Sequence, residues 1–219
     1  MYALCRRLFV LCVARPVALL WLGLAIRHAE RFPLSGPAVV IANHNSHLDT
    51  LALLSLFPLA DIPKVRIAAA ADYFFTTRWT SFIAERFLGL VPMIRGHSHT
   101  KDILAPLAAV LEQGDILVLF PEGTRGEAEV MAEIKPGIWH LLKRFPLVPV
   151  YPVYLHGMGR SLPKGEWIPV PFFVDVCVGE SLGFDPDKQS FMDRIREAFA
   201  GLRGQTLAGL RPMNEEEHI

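Results

Sequence analysis

Cysteine is scarce in this 219-residue chain: Cys5, Cys12 and Cys177, with no CxxC pair. A disulfide framework is excluded, and a reducing compartment fits the three thiols. Neither sign of charge is in excess, with Lys+Arg 22 and Asp+Glu 22. No global field therefore draws the chain to nucleic acid, and no nucleic-acid partner is expected. Lysine is rare beside arginine, 6 against 16. Arginine is the cation suited to planar, bidentate binding of phosphate or carboxylate. No repeat or low-complexity tract is visible. What abounds is apolar: 52% of residues are hydrophobic and the mean hydropathy is +0.31. The length suffices for one α/β domain with a sizeable core.

The apolar excess begins at the N-terminus. Leu8 to Ile26 reads LFVLCVARPVALLWLGLAI, apolar except for Arg15. That is close to the ~20 residues a bilayer span needs. Arg15-Pro16 near its middle argues against a span: a central arginine costs about 2.5–3.5 kcal/mol, and proline removes a backbone donor. The expectation is a bent, membrane-seated helical pair, with Arg6, Arg7, Arg27, His28 and Arg31 as basic anchors at the headgroups. A helix buried in the protein's own core is the alternative, which periodicity alone does not separate. A signal peptide fits less well, because Arg15 interrupts the apolar stretch. The chain thus divides into a membrane-associated helical segment (1–33), an α/β domain (34–205) and a tail (206–219).

Within the domain, short apolar runs alternate with helical patterns. AVVIAN (38–43) predicts a buried strand after Ser-Gly-Pro, and Leu48–Leu56 a helix stopped at Phe57-Pro58. Strands are expected at 65–71, 90–94, 115–120, 147–154 and 170–178. Helices are expected at 77–88, 99–113, 138–145 and 187–202. Trp79, Phe82, Ile83 and Phe87 predict a core-facing helical stripe, and Pro106 a kink or a later helix start. In 170–178, alternation puts Asp175 and Cys177 on the less buried face. The pattern predicts a mostly parallel central sheet flanked by helices. Ligands in such sheets bind beyond the carboxyl ends of strands, and there the polar clusters lie. NHNSHLD follows AVVIA, Arg95 follows LVPMI, and PEGTR follows DILVLF.

His44 and Asp49 are five apart, so an unbroken helix would set them roughly 140° from each other. They meet only if His44 lies in the loop and Asp49 in the first helical turn. Ser46-x-x-Asp49 favours this as a capping box, with Ser46 at N-cap and Asp49 at N3. An acid receiving one imidazole N–H would leave the other ring nitrogen free as a base. Two other readings stand beside it. In one, Asp49 serves only as a cap; in the other, His44, His47 and Asp49 bind a metal, with His97 and His99 elsewhere and no matching HxxH or CxxC partner. PEGTR also has a plain reading as a turn with Pro121 at i+1 and Gly123 at i+3.

Asn43–Asp49 resembles the N-H-x4-D block of the glycerophospholipid acyltransferases, the 1-acylglycerol-3-phosphate acyltransferase family. Three more blocks match in order: Gly89-Leu90-Val91-Pro92-Met93-Ile94-Arg95, Phe120-Pro121-Glu122-Gly123-Thr124-Arg125, and Leu147-Val148-Pro149-Val150-Tyr151. Ile94 stands where a polar residue is common, and Ala68–Ala71 precedes Asp72 where many relatives carry lysines. The resemblance implies transfer of an acyl group from acyl-CoA or acyl carrier protein to the free hydroxyl of a lysophospholipid, 1-acylglycerol-3-phosphate first. It implies His44 as base and Asp49 as its orienting acid. Arg95, Glu122, Gly123, Thr124 and Arg125 would bind the acceptor and its phosphate, Glu122 near the hydroxyls. No metal and no cofactor is expected, the thioester being a co-substrate. The partners are a membrane lipid and the acyl donor, and the location is the cytoplasmic face of a membrane. Lys135-Pro136-Gly137 either starts a helix or touches donor phosphates. Alternatives are another acceptor, such as a lyso-ornithine lipid, a metal-dependent hydrolase, or a silent lipid-binding domain.

Overall fold

The computed structural model describes residues 2–46, 48–70, 77–93, 102–124, 130–161, 170 and 173–206. Seven strands form one sheet in the order β1-β7-β6-β2-β5-β3-β4. They are β1 (Ala25–Arg27), β2 (Ala38–Ala42), β3 (Val65–Ala70), β4 (Leu90–Met93), β5 (Ile116–Leu119), β6 (Val150–His156) and β7 (Asp175–Val178). Every neighbouring pair is parallel except β6–β7. The expected mostly parallel sheet is what forms.

Strand β2 lies at the centre, with β6 on one side and β5 on the other. All five of its residues are buried, which is why it reads as a continuous apolar run rather than an alternation. Its side chains divide the core in two. Ala38, Val40 and Ala42 join the cluster that holds Leu53 and Phe57 of the α2 region (α2, Leu48–Leu56) and Val10 of the N-terminal helix. Val39 and Ile41 join the cluster on the opposite face. That cluster holds Leu107 of α4 (Ala105–Glu112), Leu141 of α5 (Gly137–Leu142) and Phe191 of the last helix, α7 (Lys188–Gly204). Two short helices, α3 (Arg78–Ile83) and α6 (Met158–Ser161), are also found among the described residues.

The N-terminal helix differs from the expected bent pair. It runs from α1 (Tyr2–Phe9) through widened i→i+5 turns at Val10–Ala14 and Val17–Trp21. Pro16 stays in the helical region (φ −58°, ψ −42°) between them. Arg6, Val10, Ala14, Ala18 and Leu22 are all fully buried, at a spacing of four. At about 3.6 residues per turn such a stripe would wind around the helix. The wide turns hold it on one face, against the domain. The opposite face leaves Leu4, Leu8, Leu11, Leu19 and Leu20 exposed. Among the described residues no helix is long and apolar enough to cross a membrane.

Arg6, expected at a headgroup, is instead inside the protein. Its guanidinium donates to the carbonyls of Pro63 (3.2 Å), Val65 (2.8 Å) and Leu88 (3.2 Å). Arg7 donates to Leu59 and Ala60, and Arg15 to Phe57. These last carbonyls follow the end of α2, where cations are favoured. Gly89 (φ +69°) closes the widened turn Ala84–Leu88, and a Cβ there would lie 2.3 Å from the Arg6 guanidinium.

Two further expectations are corrected. Trp79, Phe82 and Ile83 are exposed, at 78%, 51% and 51%, so they form no core stripe. Asp175 and Cys177 are buried, because β7 lies between β1 and β6 and both its faces are covered, Val176 and Val178 joining one core cluster and Cys177 the other. Pro106 sits in the first turn of α4, which starts at Ala105 as the later-start reading requires. The tail from 207 onward lies outside the described residues.

Candidate active site

The site is assembled where β2 and β5 end side by side. Asn43 follows β2 and behaves as one more sheet residue. Its Nδ2 donates to the Leu155 carbonyl (2.8 Å) and its Oδ1 accepts from the Leu155 N–H (2.7 Å). This amide pair on β6 fixes the point at which the chain leaves the sheet, and so the start of the His44 loop.

His44 Nδ1 lies 2.9 Å from Asp49 Oδ2. The same oxygen accepts from the N–H groups of Asn45 (2.7 Å) and Ser46 (2.8 Å). Ser46 Oγ in turn accepts from Leu48 N–H (3.3 Å). Asp49 thus makes its half of the capping box on the Ser46 N–H while Ser46 Oγ caps Leu48 rather than Asp49, so capping and orienting the histidine are two uses of one carboxylate rather than rival readings. Asp49 is fully buried, whereas the His44 side chain is 18% exposed. Burial pushes the Asp49 carboxyl up, while its bonds from His44, Ser46 and Asn45 pull against this. Oδ2 already accepts two backbone N–H groups, so it carries no proton itself and Nδ1 supplies the hydrogen of the His44–Asp49 bond. Nε2, engaged by no described residue, is then the basic nitrogen.

The end of β5 closes the other side. The Phe120 ring stacks on His44 with centroids 4.1 Å apart and planes at 21°. Gly123 N–H donates to Phe120 O (3.0 Å), closing the expected turn, and Gly123 takes φ +73°. Glu122, 2% exposed, accepts from His44 N–H through Oε1 (2.7 Å) and from Ala132 N–H through Oε2 (2.6 Å). Burial pushes its carboxyl up, and the two backbone bonds oppose the shift. A Cβ on Gly123 would lie 3.0 Å from Lys135 Nζ, so a cation flanks this turn.

The structure thus brings together His44, Asp49 and Glu122, with Gly123 and the exposed Thr124 on the adjoining turn. Arg95, Arg125, His47, His97 and His99 lie outside the described residues. Among the described residues no group of three His, Cys, Asp or Glu side chains is placed to hold a metal ion. Sequence reasoning missed the roles of Asn43, Phe120 and the Ala132 N–H. Only Asn43 had a signal, as a polar residue directly closing a buried strand.

A family model described as Acyltransferase matches residues 23–156. The protein named Taffazin from Dictyostelium discoideum is 29% identical over 174 residues, which is 73% of this chain and 60% of that protein. The 1-acyl-sn-glycerol-3-phosphate acyltransferase alpha of Homo sapiens is 30% identical over 132 residues, 57% of this chain and 44% of that protein. The chain therefore spans between two fifths and three fifths of these relatives' length. The crystal structure of the 1-acyl-sn-glycerophosphate acyltransferase PlsC from Thermotoga maritima has the same fold. Its TM-score is 0.69 at 22% identity, over 92% of this chain and 82% of that one. The family model covers well over half of the chain, and the chain belongs to the Acyltransferase family.

Proposed function

We propose that the protein moves a fatty acyl group from an acyl thioester, of CoA or acyl carrier protein, to the free hydroxyl of a lysophospholipid. 1-Acylglycerol-3-phosphate is the first acceptor to test, because several similar proteins are named for it. The observation that carries the reading is His44, held at Nδ1 by a buried carboxylate and left basic at Nε2. Nε2 takes the acceptor's hydroxyl proton as the oxygen attacks the thioester carbonyl. The tetrahedral intermediate collapses with cleavage of the C–S bond, and the departing thiolate recovers the proton from the imidazolium. Asp49 keeps the ring oriented and stabilises its charge. Arg95 and Arg125 are assigned to the acceptor phosphate by family resemblance, and no cofactor or metal takes part.

We place the protein on the cytoplasmic face of a membrane, where acyl thioesters are available. Support comes from the exposed leucines of the N-terminal helix and from Trp21 and Phe173 near them. Such a face fits the in-plane mode of binding.

The test is a matrix of donors and acceptors, lyso-ornithine lipid included, incubated with purified protein and read by mass spectrometry. Transfer is expected with at least one lysophospholipid, to survive strong chelation, and to fall about 10²–10⁴-fold in His44→Ala. Near-normal transfer by folded His44→Ala would reject the mechanism.

A further inference from the structure

Glu122 is committed through both of its oxygens. Its residue is 2% exposed, and each carboxylate oxygen already accepts a backbone N–H at short distance. One belongs to His44 (2.7 Å), the other to Ala132 (2.6 Å). The two donors come from different segments: the loop after β2, and the 130–135 stretch. That stretch is tied back a second time, by Lys135 N–H on Pro121 O (2.9 Å). Phe120, two residues before Glu122, stacks on the His44 ring. The same turn therefore grips His44 at its backbone and at its imidazole.

We propose that Glu122 is a positioning residue: its carboxylate clamps the His44 backbone to the 130–135 segment, and it does not contact the acyl acceptor. This departs from the acceptor-hydroxyl role that family resemblance implies, and it rests on the acyltransfer reading for its kinetic arm only. A buried carboxylate between two N–H donors holds both without needing a third partner, since charge-assisted bonds are the stronger kind. His44 then has three supports. Asn43 sets the loop's origin on β6, Asp49 sets the ring's rotation, and Glu122 with Phe120 sets its height above the sheet end. Such placement matters because a displacement of about 1 Å can cost ~10²-fold in rate.

Glu122→Gln is the informative substitution. The amide keeps one acceptor and turns a donor toward the other N–H, so the clamp opens on one side while the shape is kept. The clamp leads to a kcat lowered about 10–100-fold with the acceptor KM within about twofold of wild type. An acceptor contact leads to the opposite split, an acceptor KM raised about tenfold or more with kcat kept, and would overturn the proposal. A second readout does not need turnover. In the 15N-labelled full chain, the His44 and Ala132 amide protons should move together as Glu122 is titrated, and that response should vanish in Glu122→Gln. Amides that ignore the substitution would equally overturn the clamp. Glu122→Asp, whose shorter side chain reaches one donor at most, repeats both readouts if the glutamine variant does not fold. If the wild type transfers no acyl group, the function proposal fails while the amide titration still decides the clamp.

Discussion

Asp49 offers one oxygen to three N–H groups and leaves the other, Oδ1, buried without a partner among the described residues. Asparagine can copy that pattern, its carbonyl taking the place of Oδ2 and its amide the orphan side. Asp49→Asn is therefore expected to fold with a melting temperature near wild type, the loss of a desolvated charge offsetting the cost of amide N–H donors left on the orphan side. Its kcat should fall by about 10²–10⁴-fold, as the imidazolium loses its counter-charge. A large loss of melting temperature together with retained turnover would contradict this. Asn43 gives the contrary outcome. Asn43→Ala strips the Leu155 N–H of its acceptor, at about 1–3 kcal/mol for an unsatisfied buried group; denaturant unfolding measures it. At this scale the sequence disclosed which residues gather, because Ser46-x-x-Asp49 carries its own geometry. It did not disclose what each side chain grips. Glu122 meets a backbone N–H 78 positions away, and no local pattern encodes so distant a partner.

Elements were legible where pattern and burial agree. β2 and α2 fall where the apolar runs are, and α7 starts on an Asp187 cap that accepts from Ser190 N–H (2.7 Å). Elements misread were those whose neighbours decide exposure. Strand β7 alternates in sequence yet is covered on both faces. The helix at Arg78–Ile83 turns its apolar Trp79, Phe82 and Ile83 outward. Nor does any rule of spacing announce the widened turns of the N-terminal helix, which answer to packing. Those turns make a prediction. Ala14 and Ala18 sit fully buried where the helix lies against the domain, so Ala18→Leu overfills the contact and should cost about 1–3 kcal/mol. Leu8→Ser and Leu20→Ser, on the outer face, should leave unfolding midpoints unchanged and reduce co-sedimentation with anionic vesicles. Arg6 belongs to the same element: burial pushes its guanidinium down to about 10, and three carbonyls hold it in place.

For the molecule as a whole, the site imposes a pH-dependent strain. Burial raises both Asp49 and Glu122 above their ordinary values of about 3.9 and 4.3. The native chain then binds these protons more tightly than the unfolded chain. Their contribution to stability is greatest below the unfolded values and declines as pH rises toward the raised native ones. Glu122→Gln removes one of the two groups. The wild type's stability relative to this variant should thus be better at pH 4 than at pH 7, by denaturant midpoints; an equal difference at both would refute the linkage. The stripe of Arg6, Val10, Ala14, Ala18 and Leu22 has a practical consequence as well. A shortened chain starting near Glu30, the obvious choice for a tractable enzyme, would lack the lid over one side of its own sheet. It would also leave three inward-facing carbonyls at the roots of β3 and β4 without donors. Such a fragment should collect in inclusion bodies even with every residue of the catalytic loop in place.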